Sequence, residues 1–151
     1  MSDRMVELSD AEATDAAGRA LAKVLRAGDV IALSGDLGAG KTSLARGLLA
    51  ALGLADEAPS PSYAIVIPYE PPQVRLPVWH VDLYRLDDPD DAAELGLDDA
   101  LGDGALVIEW PERLDWLWPN ALRLHIHVPE HGPRRLTATV PPSWEDRWPF
   151  P

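Results

Sequence analysis

Gly35, Gly40, Lys41 and Thr42 stand at the spacing G-x-x-x-x-G-K-[ST]. Each residue type there suits the holding of a chain of phosphates. Glycines let the backbone of Gly35, Asp36, Leu37, Gly38, Ala39 and Gly40 curl so that N–H groups turn inward around phosphate oxygens. A helix that begins near Lys41 adds the positive end of its dipole. Lys41 is expected to reach the β- and γ-phosphates and the Thr42 hydroxyl to ligate Mg²⁺, with Ser43 completing the loop. Two acids follow at the ends of apolar runs. Glu109 closes Ala105-Leu106-Val107-Ile108, and Asp82 closes the run that starts at Leu76. A carboxylate at a strand tip is placed to hold Mg²⁺ or to polarise an attacking water. Glu109 is the first choice for that role. Asp82 is a second acid whose alternative is a helix cap or an ion pair with Arg85. His80, two residues earlier, reads as a packed, hydrogen-bonded histidine rather than a ligand. Trp110 either walls the site or packs in the core.

These groups need elements to bring them together. Val30-Ile31-Ala32-Leu33 is a buried strand leading into the glycine-rich turn. Leu44, Leu48 and Leu52 then repeat at helical spacing up to Gly53. Upstream, Ser9 with Glu12 resembles a capping box, and Ala13, Ala17, Ala20, Leu21 and Val24 mark a helix face that Gly28 can end. Thr14 and Glu12 on that helix either lie near a bound base or ribose, or are ordinary polar residues of a capped helix. Ser60-Pro61-Ser62-Tyr63 is a hydroxyl-bearing loop suited to a switch that senses the γ-phosphate, Ser62 foremost. Its alternative is a proline turn entering a strand at Tyr63–Pro68. Glu70-Pro71-Pro72 makes a hairpin-like connection to the strand at Leu76–Val81. Leu122–Val128 and Leu136–Val140 alternate apolar with polar residues and read as a hairpin at the sheet's edge. Arg134 or Arg135 of that hairpin can reach the nucleotide, and Arg135 is taken as the contact. The fold class is therefore α/β: a three-layer P-loop NTPase sandwich, its sheet mainly parallel, with antiparallel edge strands. Residues 1–140 form the domain. Residues 141–151, rich in proline and tryptophan, are expected to lack regular structure.

Composition narrows the setting. A chain of 151 residues with 46% hydrophobic content can build one domain with a core. The absence of cysteine excludes disulfide and thiolate chemistry and fits a reducing cytoplasm. No apolar run approaches the roughly 20 residues of a membrane span, and the N-terminus lacks the pattern of a signal peptide. A net charge of −12 disfavours direct contact with a nucleic-acid backbone, so any RNA is met indirectly, and a basic protein partner fits better.

Taken in order, Gly35–Thr42, Ser60-Pro61-Ser62-Tyr63, His80-Val81-Asp82-Leu83-Tyr84-Arg85 and Ile108-Glu109-Trp110-Pro111 closely resemble the motifs of the TsaE (YjeE) family. The resemblance spans about Ser9 to Val140. The family usually carries threonine where Ser62 stands, and the hydroxyl is kept. The resemblance implies an ATPase subunit of the bacterial tRNA threonylcarbamoyladenosine (t⁶A) machinery. It would bind TsaB and TsaD and support modification of adenosine 37 in tRNAs reading ANN codons. By the same carry-over Lys41 and Thr42 hold phosphate and Mg²⁺, Glu109 is the Walker B acid and Asp82 a catalytic or metal-linked acid. No arginine finger is evident, so slow hydrolysis alone and faster hydrolysis with partners are expected. Competing readings are a GTPase, a small-molecule kinase and a non-catalytic adaptor gated by nucleotide. The guanine-reading N-K-x-D loop is missing, since Asn120 is the sole asparagine and Ala121-Leu122 follow it. No arginine-rich lid of the kind that kinases close is visible.

Overall fold

The structure is a computed structural model. It describes residues 2–36, 38–61, 65–86, 88, 91, 95–112 and 118–151. A seven-stranded mixed sheet runs through the molecule in the order β1-β7-β6-β2-β5-β4-β3. The strands are β1 Ser2–Leu8, β2 Val30–Gly35, β3 Val66–Tyr69, β4 Val78–Asp82, β5 Ala105–Glu109, β6 Leu122–His127 and β7 Arg134–Val140. β6, β2, β5 and β4 are mutually parallel. They read as continuous apolar runs because both faces of the central strands are covered: β2 and β5 are buried along nearly their whole length. The antiparallel strands lie outside them, β3 on β4 at one edge, β7 and then β1 at the other.

Two long helices cover one face. α1 spans Ala11–Val24 and α2 spans Lys41–Ala51. Leu21, Leu44, Leu48 and Leu49 pack there on Ile31, Leu33, Val107 and Leu124, which share one side of the pleat. The opposite side buries Val30, Ala32, Leu106 and Ile108 under Leu97, Ala100, Trp118 and Ala121. Among the described residues that second cover is the 3₁₀ segment Leu97–Gly102, Leu83 and Leu86 after β4, and the chain around Trp118.

Several sequence expectations shift. The cap of α1 is Asp10, whose carboxylate accepts from the Ala13 N–H at 2.8 Å, so the Ser9–Glu12 capping box is not used. That helix is capped at Leu25, before Gly28. The strand expected at Tyr63–Pro68 is Val66–Tyr69, and its hairpin to β4 is antiparallel as expected. β7 is not the edge, because β1 pairs with it along Ser2–Leu8. The C-terminal segment is also more ordered than its prolines suggest. Pro142–Glu145 forms a short helix, α3, with proline in its first turn, where a missing N–H costs nothing. Trp144 on it is 1% exposed and joins the helix-side core. No helix among the described residues is long and apolar enough to cross a membrane.

Candidate nucleotide site

The parallel strands end on one rim, and the chemistry gathers there. Gly35 ends β2, Glu109 ends β5 and Asp82 ends β4, with Asp82 and Glu109 as register partners on adjacent strands. A carboxyl rim beside a glycine-rich strand-to-helix turn is where ligands bind in open α/β sheets. A cavity of about 350 Å³ opens at this point, lined by Gly38, Gly40, Lys41, Thr42, Ser43, Asp82, Glu109, Trp110, Arg134 and Ala11.

The loop presents its backbone to this cavity. Gly40, at the N-cap of α2, has φ +115°, a left-handed conformation that a side chain would strain. A Cβ there would also meet Arg134 Nη1 at 3.1 Å and Thr14 Cγ2 at 3.3 Å. No side chain caps α2, so its first N–H groups remain directed at the ligand space. Leu37 of this loop lies outside the described residues.

Lys41 is 5% exposed. Its Nζ donates to Gly35 O at 2.6 Å and Asp36 O at 2.9 Å, and sits 4.0 Å from the centre of the Trp110 ring. Burial pulls its pKa below the ordinary lysine value, while Glu109, Glu112, Asp82 and Asp36 oppose that shift. Trp110 therefore walls the site. It holds φ +58°, a positive value for a residue with a side chain, while its N–H donates to Leu33 O at 3.1 Å. Tyr84 packs against it at 4.8 Å between ring centres.

Thr42 and Glu109 meet directly. The Thr42 hydroxyl donates to Glu109 Oε1 at 3.0 Å, with Oε2 at 3.3 Å. Glu109 Oε2 also lies 2.6 Å from His80 Nε2. Asp82 Oδ1 accepts from the Tyr84 N–H at 2.8 Å, which turns the chain at the end of β4. Both acids are buried, 3% exposed for Glu109 and 5% for Asp82. The described residues hold no group of three or more His, Cys, Asp or Glu able to bind a metal unaided. The donor set is instead one hydroxyl and two carboxylates beside the glycine-rich loop. These hard oxygens are of the kind that suits Mg²⁺.

Two predicted nucleotide contacts move. Thr14 is fully buried; its hydroxyl donates to Asp10 O at 3.4 Å and its methyl group supports Gly40 from behind. It is a buttress of the loop and does not line the cavity. Arg135 is exposed and lies on the side of β7 away from the helices, whereas Arg134 shares the inward parity of Leu136 and Ala138. Arg134 Nη1 donates to Ala39 O at 2.9 Å and lines the cavity. Arg134, rather than Arg135, is thus the arginine of this strand that faces the cavity. Of the switch candidates, Ser62 lies outside the described residues and Ser60 is half-buried at the end of the loop after α2.

Comparison with known proteins agrees with this geometry. The family model "Threonylcarbamoyl adenosine biosynthesis protein TsaE" matches residues 8–136. The chain belongs to the TsaE family. Among individual TsaE proteins, one from Streptomyces coelicolor is 45% identical over 111 residues, covering 72% of this chain and 75% of its own. One from Bacillus subtilis is 35% identical over 132 residues, covering 85% and 80%. Both carry the name tRNA threonylcarbamoyladenosine biosynthesis protein TsaE. The crystal structure of Bacillus subtilis YdiB superposes with a TM-score of 0.79 at 28% identity, covering 96% of this chain and 90% of that one. The TsaE match takes in α1, the glycine-rich loop, both acid-bearing strands and the start of β7 as far as Leu136, so it includes Arg134.

Proposed function

We propose that this chain is a Mg²⁺-dependent ATP-binding and ATP-hydrolysing subunit that associates with TsaB and TsaD and supports N6-threonylcarbamoylation of adenosine 37 in tRNAs reading ANN codons. The observation that carries the reading is the direct hydrogen bond between Thr42, in the first turn of α2, and Glu109, at the tip of β5. It joins the phosphate cradle to the acid-bearing rim in one site. In this mechanism the loop N–H groups and Lys41 take the β- and γ-phosphates, for which Lys41 leaves the carbonyls of Gly35 and Asp36. Arg134 offsets charge from the far wall. Thr42, with Asp82 or Glu109, would hold the metal, and Glu109 would orient the water that attacks. Mg²⁺ held by these residues would supply Lewis acidity toward the transferred phosphoryl group. Trp110 and Tyr84 restrict solvent on one side. The t⁶A role rests on membership of the TsaE family and on the named relatives, and ATP is favoured over GTP because the N-K-x-D reader is missing.

The test is phosphate release from ATP by the full chain, with and without purified TsaB–TsaD, beside Lys41→Ala and Glu109→Ala. Expected are slow turnover alone, stimulation by the partners, loss of ATP binding in Lys41→Ala, and retained binding without turnover in Glu109→Ala. Equal turnover with and without partners, or full t⁶A formation supported by Glu109→Ala, would overturn it.

A further inference from the structure

The inward positions of β4 read Val78, His80, Asp82: an apolar residue, an imidazole, then a carboxylate at the rim. His80 is completely buried in the helix-side layer, yet it belongs to no apolar cluster and, among the described residues, has one polar contact, Glu109 Oε2 at 2.6 Å. Its other nitrogen, Nδ1, is buried without a hydrogen-bond partner among the described residues. A histidine that merely filled the sheet would pair both nitrogens or give way to an apolar side chain, because an unpaired polar atom in the interior is costly. The uneven pairing also fixes the tautomer. A bare nitrogen lone pair is a smaller penalty than a buried, unpaired N–H, so the proton belongs on Nε2, aimed at Glu109. Two donors then hold one carboxylate. His80 grips Oε2 from within the sheet, and Thr42, which lines the cavity, lies nearer Oε1.

We infer that His80 is the positioning residue for Glu109. It fixes the rotation of the carboxylate so that Oε2 is engaged and Oε1 is presented to the ligand space. The inference rests on the proposed reading of Glu109 as the acid that orients water or metal. Groups that orient a functional side chain from behind are worth about 10–100-fold in activity when removed. A fixed carboxylate matters here because a glutamate side chain has three rotatable torsions, and the direction of its oxygens depends on all of them.

The decisive comparison is His80→Phe against His80→Gln in the full chain. Phe keeps the bulk and loses the N–H; Gln returns an amide N–H near the place of Nε2. Expected for His80→Phe is a partner-stimulated kcat lowered tens-fold, with the dissociation constant for ATP measured by calorimetry changed less than about threefold. His80→Gln should recover most of the turnover. A second readout needs no nucleotide. ¹⁵N-resolved spectra of the free protein should show the His80 ring protonated at Nε2, with a downfield, slowly exchanging proton that moves upfield in Glu109→Ala. Unchanged kcat in His80→Phe, equal loss in Phe and Gln variants, or a ring protonated at Nδ1 would each overturn the inference. Failure of the wild-type chain to hydrolyse ATP with its partners would instead sink the proposed function, and the spectra would still report on the His80–Glu109 contact. Should His80→Phe fail to fold, the Gln variant and the spectra of the wild-type chain decide.

Discussion

Burial lowers the affinity of Lys41 for its proton, against the pull of Glu109, Glu112, Asp82 and Asp36. The folded-state value lies below the ordinary 10.5, so between the two values the unfolded chain binds more protons. Stability attributable to Lys41 therefore rises with pH across that window, and below it the buried ammonium is a net cost. Lys41→Met, which removes this titration, is expected to compare better with wild type in nucleotide-free melts at pH 7 than at alkaline pH, while abolishing ATP binding. The advantage should shrink as pH is raised toward 10.5. Paired melts of wild type and variant at neutral and alkaline pH check the sign. Arginines give a second test at this scale. Arg134→Ala is expected to weaken ATP binding about tenfold, roughly 1.4 kcal/mol, and Arg135→Ala less than about twofold, by calorimetric titration. That the glycine-rich turn, Thr42, Glu109 and Asp82 meet on one rim is legible in the sequence, because residue type and spacing mark each strand end. The Arg134 and Arg135 pair was not decided by type. It was decided by strand parity, which Leu136, Ala138 and Val140 already encode. The grip of His80 on Glu109 was hidden further still, since it joins positions on two strands whose adjacency no single stretch reveals.

At the scale of elements, α1 and α2 approach so closely that two glycines replace side chains at the contact. A Cβ on Gly18 would fall 2.0 Å from Leu44 O, and one on Gly47 would fall 2.4 Å from Asp15 O. These are backbone atoms, which cannot swing aside as a side-chain tip can. Gly18→Ala is thus expected to destabilise by about 1–3 kcal/mol despite the better helix propensity of alanine, and chemical denaturation would measure it. Because α2 begins with Lys41 and Thr42, the same variant should weaken ATP binding without touching the ligand. A stabilised or unchanged protein would show that the two helices can separate at little cost. Periodicity located both helices, since Leu44 and Leu48 mark the buried stripe, but it gives no distance between axes. β1 escaped notice for a related reason. Only Val6 and Leu8 of Ser2–Leu8 turn toward the core and Met5 is 60% exposed, so the strand is held chiefly by its ladder with β7. Backbone pairing of that kind leaves little trace in side-chain pattern.

Across the whole molecule, the C-terminal segment returns to the base of β2. Arg147 makes two hydrogen bonds to Asp29, the residue before β2, at 2.6 and 2.7 Å, and a third to Val24 O at 2.8 Å, with its guanidinium 4.0 Å from the Trp144 ring centre. Proline content argued against structure here, but one aromatic anchor and one nearly buried ion pair outweigh it. The helix-side core runs from Leu8 to Trp144, so ligand binding at the rim should be felt by the entire fold as one cooperative unit. A ligand at about 100 times its dissociation constant adds about 2.7 kcal/mol, and a chain of this length gains about 2–4 °C per kcal/mol. Saturating ATP with Mg²⁺ is therefore expected to raise the midpoint by about 5–10 °C in a single transition. Calorimetric scans with EDTA in place of Mg²⁺ should lose most of that gain, and Lys41→Ala should show none. Because the chain carries a net charge of −12, phosphates bound as proposed would have to be drawn by the loop, Lys41, Arg134 and a metal against the overall field. Chelation should accordingly cost more affinity here than in a basic domain, and an equal thermal gain with and without Mg²⁺ would refute a metal-centred site.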